Sequence, residues 1–514
     1  MRSEQKSDVK NSIGRLAFVA IALLVQVTWI LVQIKRLNQY STVISSFSSV
    51  LALFVVLGIY GKKTNSAFKM PWIMLILTFP VLGLSLYLLF GHQNATRKMR
   101  NRFLKMHETL VEQIQKSDFV LPELEQTDLG MANQCRYLEQ VEKYPVYRNT
   151  EVVFYAEAEE GLRAQLQAMR QAKRFIFMDY HAIEEAQAFE QIRRVLTEKA
   201  AEGIEVRILY DDVGSIGFVN LDFVRRMESC GIRCKVFNPV MPVLKIFMNH
   251  RDHRKITVID GEIGFTGGYN LADEYFNITH PYGRWKDSGV RLNGEAVRSL
   301  TAMFLEMWNC SDKELEEAEP YLLPAHPVPD SMGYVQPYAD HPMGHGSVGE
   351  NVYLNLIKQS TKFLYITTPY LIISDEMGRE LIMAAQRGVD VRIITPGIPD
   401  KKVIYRVTRS YYADLVSHGV RIYEYTPGFV HAKQMLSDGV AATVGTINLD
   451  YRSLYHHFEN GVLLYRCPAV QDIRDDFEQC FSVSQEVTET YRHNRRLLVP
   501  RGIDVLLRLV APLL

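Results

Sequence analysis

Two stretches decide how this chain is read: "HRKITVID" at 253–260 and "HAKQMLSD" at 431–438. Each spells His-x-Lys-x4-Asp. After a gap of six residues, each is followed by a glycine-led segment ending in asparagine, "GGYN" at 267–270 and "GTIN" at 445–448. The second set lies 178 residues after the first. Three fixed positions alone are a weak signal. Their repetition, together with the trailing segment at the same distance, is not an accident of composition.

Working outward, the motifs sit in an internal repeat. "RFIFMDYHAI" (174–183) reads as a buried strand, "EQIRRVLTEKAAE" (190–202) as a helix and "IEVRILY" (204–210) as a strand. The order returns as "KFLYITTPYL" (362–371), a helix near 377–387, and "VDVRIITP" (389–396). "GIEVRI" at 203 matches "GVDVRI" at 388, and "CGIRCKVFNP" at 230 matches "HGVRIYEYTP" at 418. The alternation predicts an α/β protein with two duplicated units, each a mixed, mostly parallel sheet flanked by helices. It also predicts that the two motifs meet in one composite site on a pseudo-twofold axis; two separate sites are the alternative. The copies differ between the shared proline and the motif histidine, where the first has thirteen residues and the second three. The extra ten, "VMPVLKIFMN" (240–249), are largely apolar. They either pack on the core or line the approach of acyl chains, with Lys245 available to an anionic headgroup.

The first ninety residues are of another kind. Three uncharged apolar runs, 16–34, 42–61 and 70–91, have the length of membrane helices, for which roughly 20 residues are needed. Pro80 and Gly83 interrupt the third, which either crosses or enters and leaves on one side. If all three cross, the basic residues flanking them divide seven against seven, and the positive-inside rule assigns no orientation. The expected organisation is a membrane region (1–92), a helical linker (93–139), a first unit (140–320), a linker (321–349) with a strand at "GYVQPY", a second unit (350–494) and an apolar tail (495–514). The expected location is the cell membrane, as a multi-pass protein. Lys and Arg number 58, as do Asp and Glu, so the basic excess usual in nucleic-acid enzymes is missing and a nucleic-acid partner is not expected. The six cysteines show no metal-ligand spacing.

The motif chemistry fits phosphoryl transfer. A neutral imidazole attacks phosphorus and becomes a phospho-histidine, and a second, protonated imidazole donates to the leaving alcohol. Lys255, Lys433, Asn270 and Asn448 hold the non-bridging oxygens, so no metal or other cofactor is called for. Each histidine needs a partner for its other ring nitrogen. Asp287 in "RWKDSG" follows the first motif and Glu459 in "HHFENG" the second, so the expected pairs are Asp287 with His253 and Glu459 with His431. Asp260 and Asp438 complete the catalytic motif, yet each ends an apolar stretch before a glycine, which reads as a turn.

These residues resemble the phospholipase D superfamily with its duplicated His-Lys-Asp motif. The segments "NHRDHRKITVIDGEIGFTGGYNLADEYF", "GRWKDSGV", "FVHAKQMLSDGVAATVGTINLDYRSLYHHFENG" and "MPWIMLILTFPVLGLSLYLLFG", with the terminal "LLRLVAPLL", are similar to bacterial cardiolipin synthases. Thr446 stands where many superfamily members have serine, and it keeps the hydroxyl. The resemblance implies transfer of a phosphatidyl group between two phosphatidylglycerol molecules, giving cardiolipin and glycerol through a phosphatidyl-histidine. It also implies membrane lipid as partner, His253 as nucleophile and His431 as acid/base. A phospholipase D hydrolase or a phosphatidylserine synthase would use the same residues. A non-enzymatic scaffold would be expected to have lost a His or Lys, and none is missing.

Overall fold

The computed structural model describes residues 41–91, 97–114, 116–220, 222–239, 250–310, 316–322, 326, 328, 331–344, 346–493 and 498–513, with 21, 24, 25, 28 and 32. The apolar run 16–34 falls almost wholly outside the described residues, and the insertion 240–249 wholly so.

The first sheet is built from β1 (Thr150–Tyr155), β2 (Phe175–Tyr180), β3 (Glu205–Asp211), β4 (Arg233–Phe237), β5 (Lys255–Ile259) and β6 (Ile263–Gly267). A short β7 (Arg284–Lys286) stands apart, and β8 (Gly289–Gly294) completes the sheet in the order β1-β8-β6-β5-β2-β3-β4. The second copy supplies β9 (Tyr334–Asp340), β10 (Phe363–Thr367), β11 (Asp390–Pro396), β12 (Arg421–Tyr425), a short β13 (Gly428–Val430), β14 (Gln434–Ser437), β15 (Ala441–Gly445), β16 (Glu459–Tyr465) and β17 (Ser484–Glu486). Its order is β17-β12-β11-β10-β14-β15-β16-β9, the same topology with one added edge strand. The "GYVQPY" strand is therefore β9, the edge that corresponds to β1.

The expectation of mostly parallel sheets is corrected. Only β2-β3-β4 and β10-β11-β12 run parallel; every other junction in the two sheets is antiparallel. The cause is the motif itself. Asp260 and Gly261 both have positive φ (58° and 74°), as do Asp438 and Gly439 (55° and 69°). Asp-Gly with both residues left-handed closes a tight hairpin, and a hairpin can only join antiparallel strands.

The sheets share one core. Val258, Val290 and Leu292 of the first and Val444, Val462 and Leu464 of the second belong to a single cluster, with a central helix (Val297–Cys310) inserted among them. β7 and β13 pair in parallel and tie the copies together.

The second apolar run is the helix α1 (Ser41–Tyr60), with side chains described from residue 46 on. The third is two helices, α2 (Ser66–Thr78) and α3 (Pro80–Phe90), broken at Phe79 because proline begins the next helix. They fold back on each other: a Cβ on Gly83 would lie 2.5 Å from Ile76 Cα, the Trp72 and Tyr87 rings are 5.4 Å apart, and Lys62 Nζ donates to Tyr87 Oη at 2.8 Å. Among the described residues no helix is long and apolar enough to cross a membrane. These helices nevertheless expose Phe47, Leu53, Phe54, Leu57, Leu77 and Phe79. A C-terminal helix, α4 (Leu498–Val510), packs against α2 and exposes Ile503, Val505 and Leu506.

Candidate active site

Both motifs sit where their strands begin. Lys255 opens β5 and pairs with Tyr180, the last residue of β2, and both copies bring their histidines to the seam between the sheets. His253 and His431 are buried, at 8% and 6% exposure, and Lys255 and Lys433 are buried beside them.

The two copies exchange carboxylates. His253 Nδ1 meets Glu459 at 2.9 Å, and His431 Nδ1 meets Asp287 at 2.7 Å. This corrects the expected pairing, in which each carboxylate served the histidine of its own copy. The backbone shows why. His253 N–H donates to Phe458 O at 2.8 Å, and the next residue is Glu459; His431 N–H donates to Lys286 O at 2.7 Å, and the next residue is Asp287. The chain leading into each motif is thus hydrogen-bonded to the strand that carries the other copy's carboxylate, so the crossing is a consequence of inter-copy pairing. Further bonds cross the same seam, from Asn460 Nδ2 to Thr266 Oγ1 at 2.8 Å and from Gln434 to Ser288.

The "GGYN" and "GTIN" segments lie behind these carboxylates. A Cβ at Gly268 would overlap the Asp287 carboxylate, so only glycine leaves Asp287 its place. The corresponding residue of the second copy is Thr446, whose hydroxyl donates to Glu459. Asn270 Oδ1 accepts from Ala182 N–H at 3.2 Å and its amide donates to Tyr275 Oη at 2.8 Å. The Tyr275 ring is 5.3 Å from the His431 ring. Asn448 is buried, and its Oδ1 has no hydrogen-bond partner among the described residues.

Asp260 and Asp438 leave the candidate catalytic group. They lie at the far ends of β5 and β14, so Asp260 is about 16 Å from Lys255 along the strand. Asp260 accepts backbone N–H bonds from Lys173, Arg174 and Phe175 at 2.7–3.0 Å. Asp438 accepts the same three from Thr361, Lys362 and Phe363. Each pins its hairpin turn to the start of the neighbouring parallel strand. Burial pushes the Asp438 carboxyl up in pKa, but the three backbone donors outweigh it and hold the group below its ordinary value.

The site is crowded with cationic groups. Burial first, then Lys255, Lys433 and His431, hold the His253 imidazole well below its usual pKa. Burial and Lys433 lower His431 to about 4 against the pull of Asp287. Lys255 and Lys433 are lowered to about 8 and about 7, chiefly by burial. Asp287 is held below the ordinary carboxylate value, because His431 and Lys433 outweigh its burial. A site that favours neutral imidazoles and two lowered ammonium groups is complementary to an anion. A phosphodiester between the lysines supplies it.

Two more histidines border the site that sequence reasoning did not single out. The His181 ring is 4.9 Å from that of His253, and the His457 ring 5.4 Å. His181 directly follows β2, and its counterpart in the repeat is Pro369, so a search for matched pairs passes over it. Among the described residues, two groups bring three metal-type ligands within 4.8 Å of one another: His253, His457 and Glu459, and the buried His107, Glu142 and His341. In the first, His253 Nδ1 is engaged by Glu459. In the second, His107 Nδ1 binds Glu306 at 2.6 Å, and Glu306 also pairs with Arg254 at 2.8 Å, a self-contained ion-pair network.

Residues 166–308 and 353–481 match the family described as "Cardiolipin synthase, PLD-like domain". The chain belongs to this family. Residues 48–92, which hold most of α1 and all of α2 and α3, match a phospholipase D-nuclease N-terminal region. A cardiolipin synthase of Alkalihalophilus pseudofirmus is 31% identical over 512 residues, 98% of this chain and 100% of that protein. Cardiolipin synthase 2 of Bacillus cereus is 32% identical over 467 residues, covering 91% and 90%. An uncharacterized protein of Streptococcus mutans is 40% identical over 460 residues, covering 89% and 99%. Among solved structures, phosphatidylserine synthase of Haemophilus influenzae superposes with a TM-score of 0.55 at 15% identity, over 74% of this chain and 97% of that one. That likeness concerns the fold.

Proposed function

We infer that this chain is a cardiolipin synthase that moves a phosphatidyl group from one phosphatidylglycerol to another and releases glycerol. Near full-length similarity to cardiolipin synthases supports the reaction. The observation that carries the mechanism is the crossed pairing of His253 with Glu459 and His431 with Asp287, which makes one site of two copies.

In the proposed sequence, Glu459 holds the Nδ1 proton of His253 and leaves Nε2 as a lone pair aimed at phosphorus. A P–N bond forms, the P–O bond to the headgroup glycerol breaks, and His431 gives that oxygen a proton. The phosphatidyl group is then on His253. The headgroup hydroxyl of the second lipid passes its proton to His431, its oxygen attacks phosphorus, and the P–N bond breaks. His431 must gain a proton before the first step; Asp287 and the arriving phosphodiester both favour it. His253, whose imidazole is held well below its usual pKa, keeps its lone pair, which supports its role as nucleophile. Lys255, Lys433, Asn270 and Asn448 face the charge that develops on the non-bridging oxygens. One phosphodiester replaces another, so no nucleotide is consumed.

The chain is membrane-associated, and its multi-pass arrangement is part of this proposal. From the sequence, runs 16–34 and 42–61 are the proposed crossings; the first lies almost wholly outside the described residues, and α1, which holds the second, does not by itself reach the length and apolarity of a span. The helices α2 and α3, at 13 and 11 residues, are about 20 Å and 16 Å long and return to the side they came from. With two crossings and a returning hairpin, twelve basic residues (Arg2, Lys6, Lys10, Arg15, Lys62, Lys63, Lys69, Arg97, Lys98, Arg100, Arg102, Lys105) share a side with the catalytic units, against Lys35 and Arg36 on the other. That bias puts the active site in the cytoplasm.

The test is to incubate the purified protein with phosphatidylglycerol carrying label in its headgroup glycerol. Cardiolipin and free glycerol in equal amounts are expected. Phosphatidic acid as the main product would make the chain a hydrolase.

A further inference from the structure

A cavity of about 820 Å³ lies between the hairpin and the second catalytic unit. Its walls include Lys62, Lys63, Lys69 and Arg100, and it runs inward as far as His457. The hairpin is docked there by specific contacts. Asn65 Nδ2 donates to Tyr455 Oη at 3.0 Å, and the Phe68 ring packs edge-on against Tyr451, Tyr455 and His456 at 5.0–5.5 Å. His457 in turn is 5.4 Å, ring to ring, from His253. One end of the cavity therefore meets the membrane-region helices, and the other ends at His457, whose ring neighbours the catalytic imidazole.

The electrostatics are one-sided. Among the described residues, Lys62, Lys63 and Lys69 face no carboxylate: Lys62 Nζ donates to Tyr87 Oη at 2.8 Å, and Lys69 Nζ to Tyr60 O at 3.1 Å. The one acidic side chain on the described wall is Asp340, whose carboxyl burial raises well above the usual carboxylate pKa and whose Oδ2 accepts the Gly349 N–H at 2.7 Å. Burial lowers His456 and His457 to about 3, which leaves them neutral. Basic side chains over apolar ring faces, at a membrane surface, suit an anionic lipid headgroup.

The reaction adds a distance. In cardiolipin the two phosphorus atoms are separated by a glycerol bridge of six bonds. That is the bond count of two extended residues, about 7 Å. While the first phosphorus sits on His253, the acceptor's own phosphate must lie within that reach. The inner end of the cavity, at His457, is the part nearest that reach, its ring 5.4 Å from that of His253.

Resting on the cardiolipin synthase reading, we propose that this cavity is the acceptor site: it binds the phosphate of the second phosphatidylglycerol through Lys62, Lys63, Lys69 and Arg100 and presents the headgroup hydroxyl to the phosphatidyl-histidine.

Two reactions separate this site from the donor site. Exchange of labelled free glycerol into phosphatidylglycerol needs only the donor site and the histidines. Condensation of two phosphatidylglycerols needs the acceptor site as well. The triple variant Lys62→Gln/Lys63→Gln/Lys69→Gln should lose at least tenfold in condensation, mainly through a raised KM, with glycerol exchange within about twofold of wild type. A second variant, Gly346→Trp, places a ring into the cavity from a position where a Cβ meets nothing within 4 Å, and it should do the same. Equal loss of both reactions in both variants would make the cavity part of the donor site or the fold. Unchanged condensation in both would empty it of any acceptor role. Either result overturns the proposal, whereas a wild-type protein that exchanges glycerol but never forms cardiolipin would overturn the functional reading instead.

Discussion

Replacing Asp287 by asparagine should disable His431 and leave His253 in place. The carboxylate is fully buried, and its oxygen lies 2.7 Å from Nδ1. A hydrogen bond to a charged partner is worth about 1.5–3 kcal/mol. When His431 carries its second proton, it also loses a counter-charge about 4 Å away, worth about 4 kcal/mol at an effective dielectric constant of 20. These overlap, since the bond is partly electrostatic, so a loss of about 4 kcal/mol in the transition state is the central value. That is about a thousandfold in kcat, with KM within a few-fold because no lipid contact is removed. Glu459→Gln should cost a similar factor through His253. The pairing has a readout that activity does not share. In protein with labelled histidine side chains, the Nδ1 proton of His431 should lose its strongly hydrogen-bonded shift in Asp287→Asn and keep it in Glu459→Gln, with the reverse for His253. A shift at His253 on changing Asp287 would restore the uncrossed arrangement and sink the argument. So would an Asp287→Asn enzyme within tenfold of wild type.

Thr446→Val removes the hydroxyl bonded to Glu459 and should lower kcat about 10- to 100-fold, as about 1.5–3 kcal/mol for a bond to a charged group implies, whereas Thr446→Ser should be near wild type. Turnover by dialysed enzyme should persist in EDTA once effects on lipid aggregation are controlled, because His253 cannot both ligate a metal and attack phosphorus; activity that returns only with a divalent ion would refute this. The kcat/KM profile should fall above about pH 7–8 as Lys433 and Lys255 lose their protons, and a profile still rising at pH 9 would show that their charge is not used. Asp438→Ala should lower stability by about 2 kcal/mol at pH 7, from three stranded amides and a left-handed turn residue. The Asp438 pKa is lowered on folding, so its contribution is present above about 3.8, the unfolded value, and is lost as pH falls through the folded one. Thermal unfolding in detergent should therefore show the gap closing toward acid, and a gap independent of pH would mean that the charge plays no part.

The sequence carried the duplication, the hairpin turns and the identity of the chemical groups, because these are local. Asp-Gly after an apolar run is a turn wherever it occurs, and His-x-Lys puts both side chains on one face of a strand. The pairing of carboxylates was not legible. Asp287 and Glu459 stand 34 and 28 residues after their own motifs, and distance along the chain favours the wrong histidine in both cases. What decides it is a bridge between copies, Asp252 with Phe458, and the ribbon of β7 with β13, neither of which has a signature in one strand alone. The parallel character of the sheets was overstated for a related reason. The βαβ pattern describes β2 to β4 correctly and says nothing about where the hairpin that follows will insert.

The crossing also bears on why both copies remain intact. In an arrangement with two separate sites, each copy would keep its own histidine and carboxylate, and loss of one copy would halve activity. Here each copy holds one motif histidine and the carboxylate that bonds the histidine of the other copy. Gly268 and Thr446 are no longer equivalent, since one makes room for Asp287 and the other donates to Glu459. The duplicated unit has thus diverged at the positions where the two histidines need different environments. Exchanging those two residues tests the point. Gly268→Thr would push Asp287 off His431, and Thr446→Gly would leave Glu459 without its hydroxyl donor. If the double exchange only swapped the roles of the histidines, with label now trapped on His431 and turnover retained, residues 268 and 446 would set the assignment. If both the exchange and its two single variants lose turnover while still folding, the assignment is built into the whole of each unit, and this last step of the argument fails.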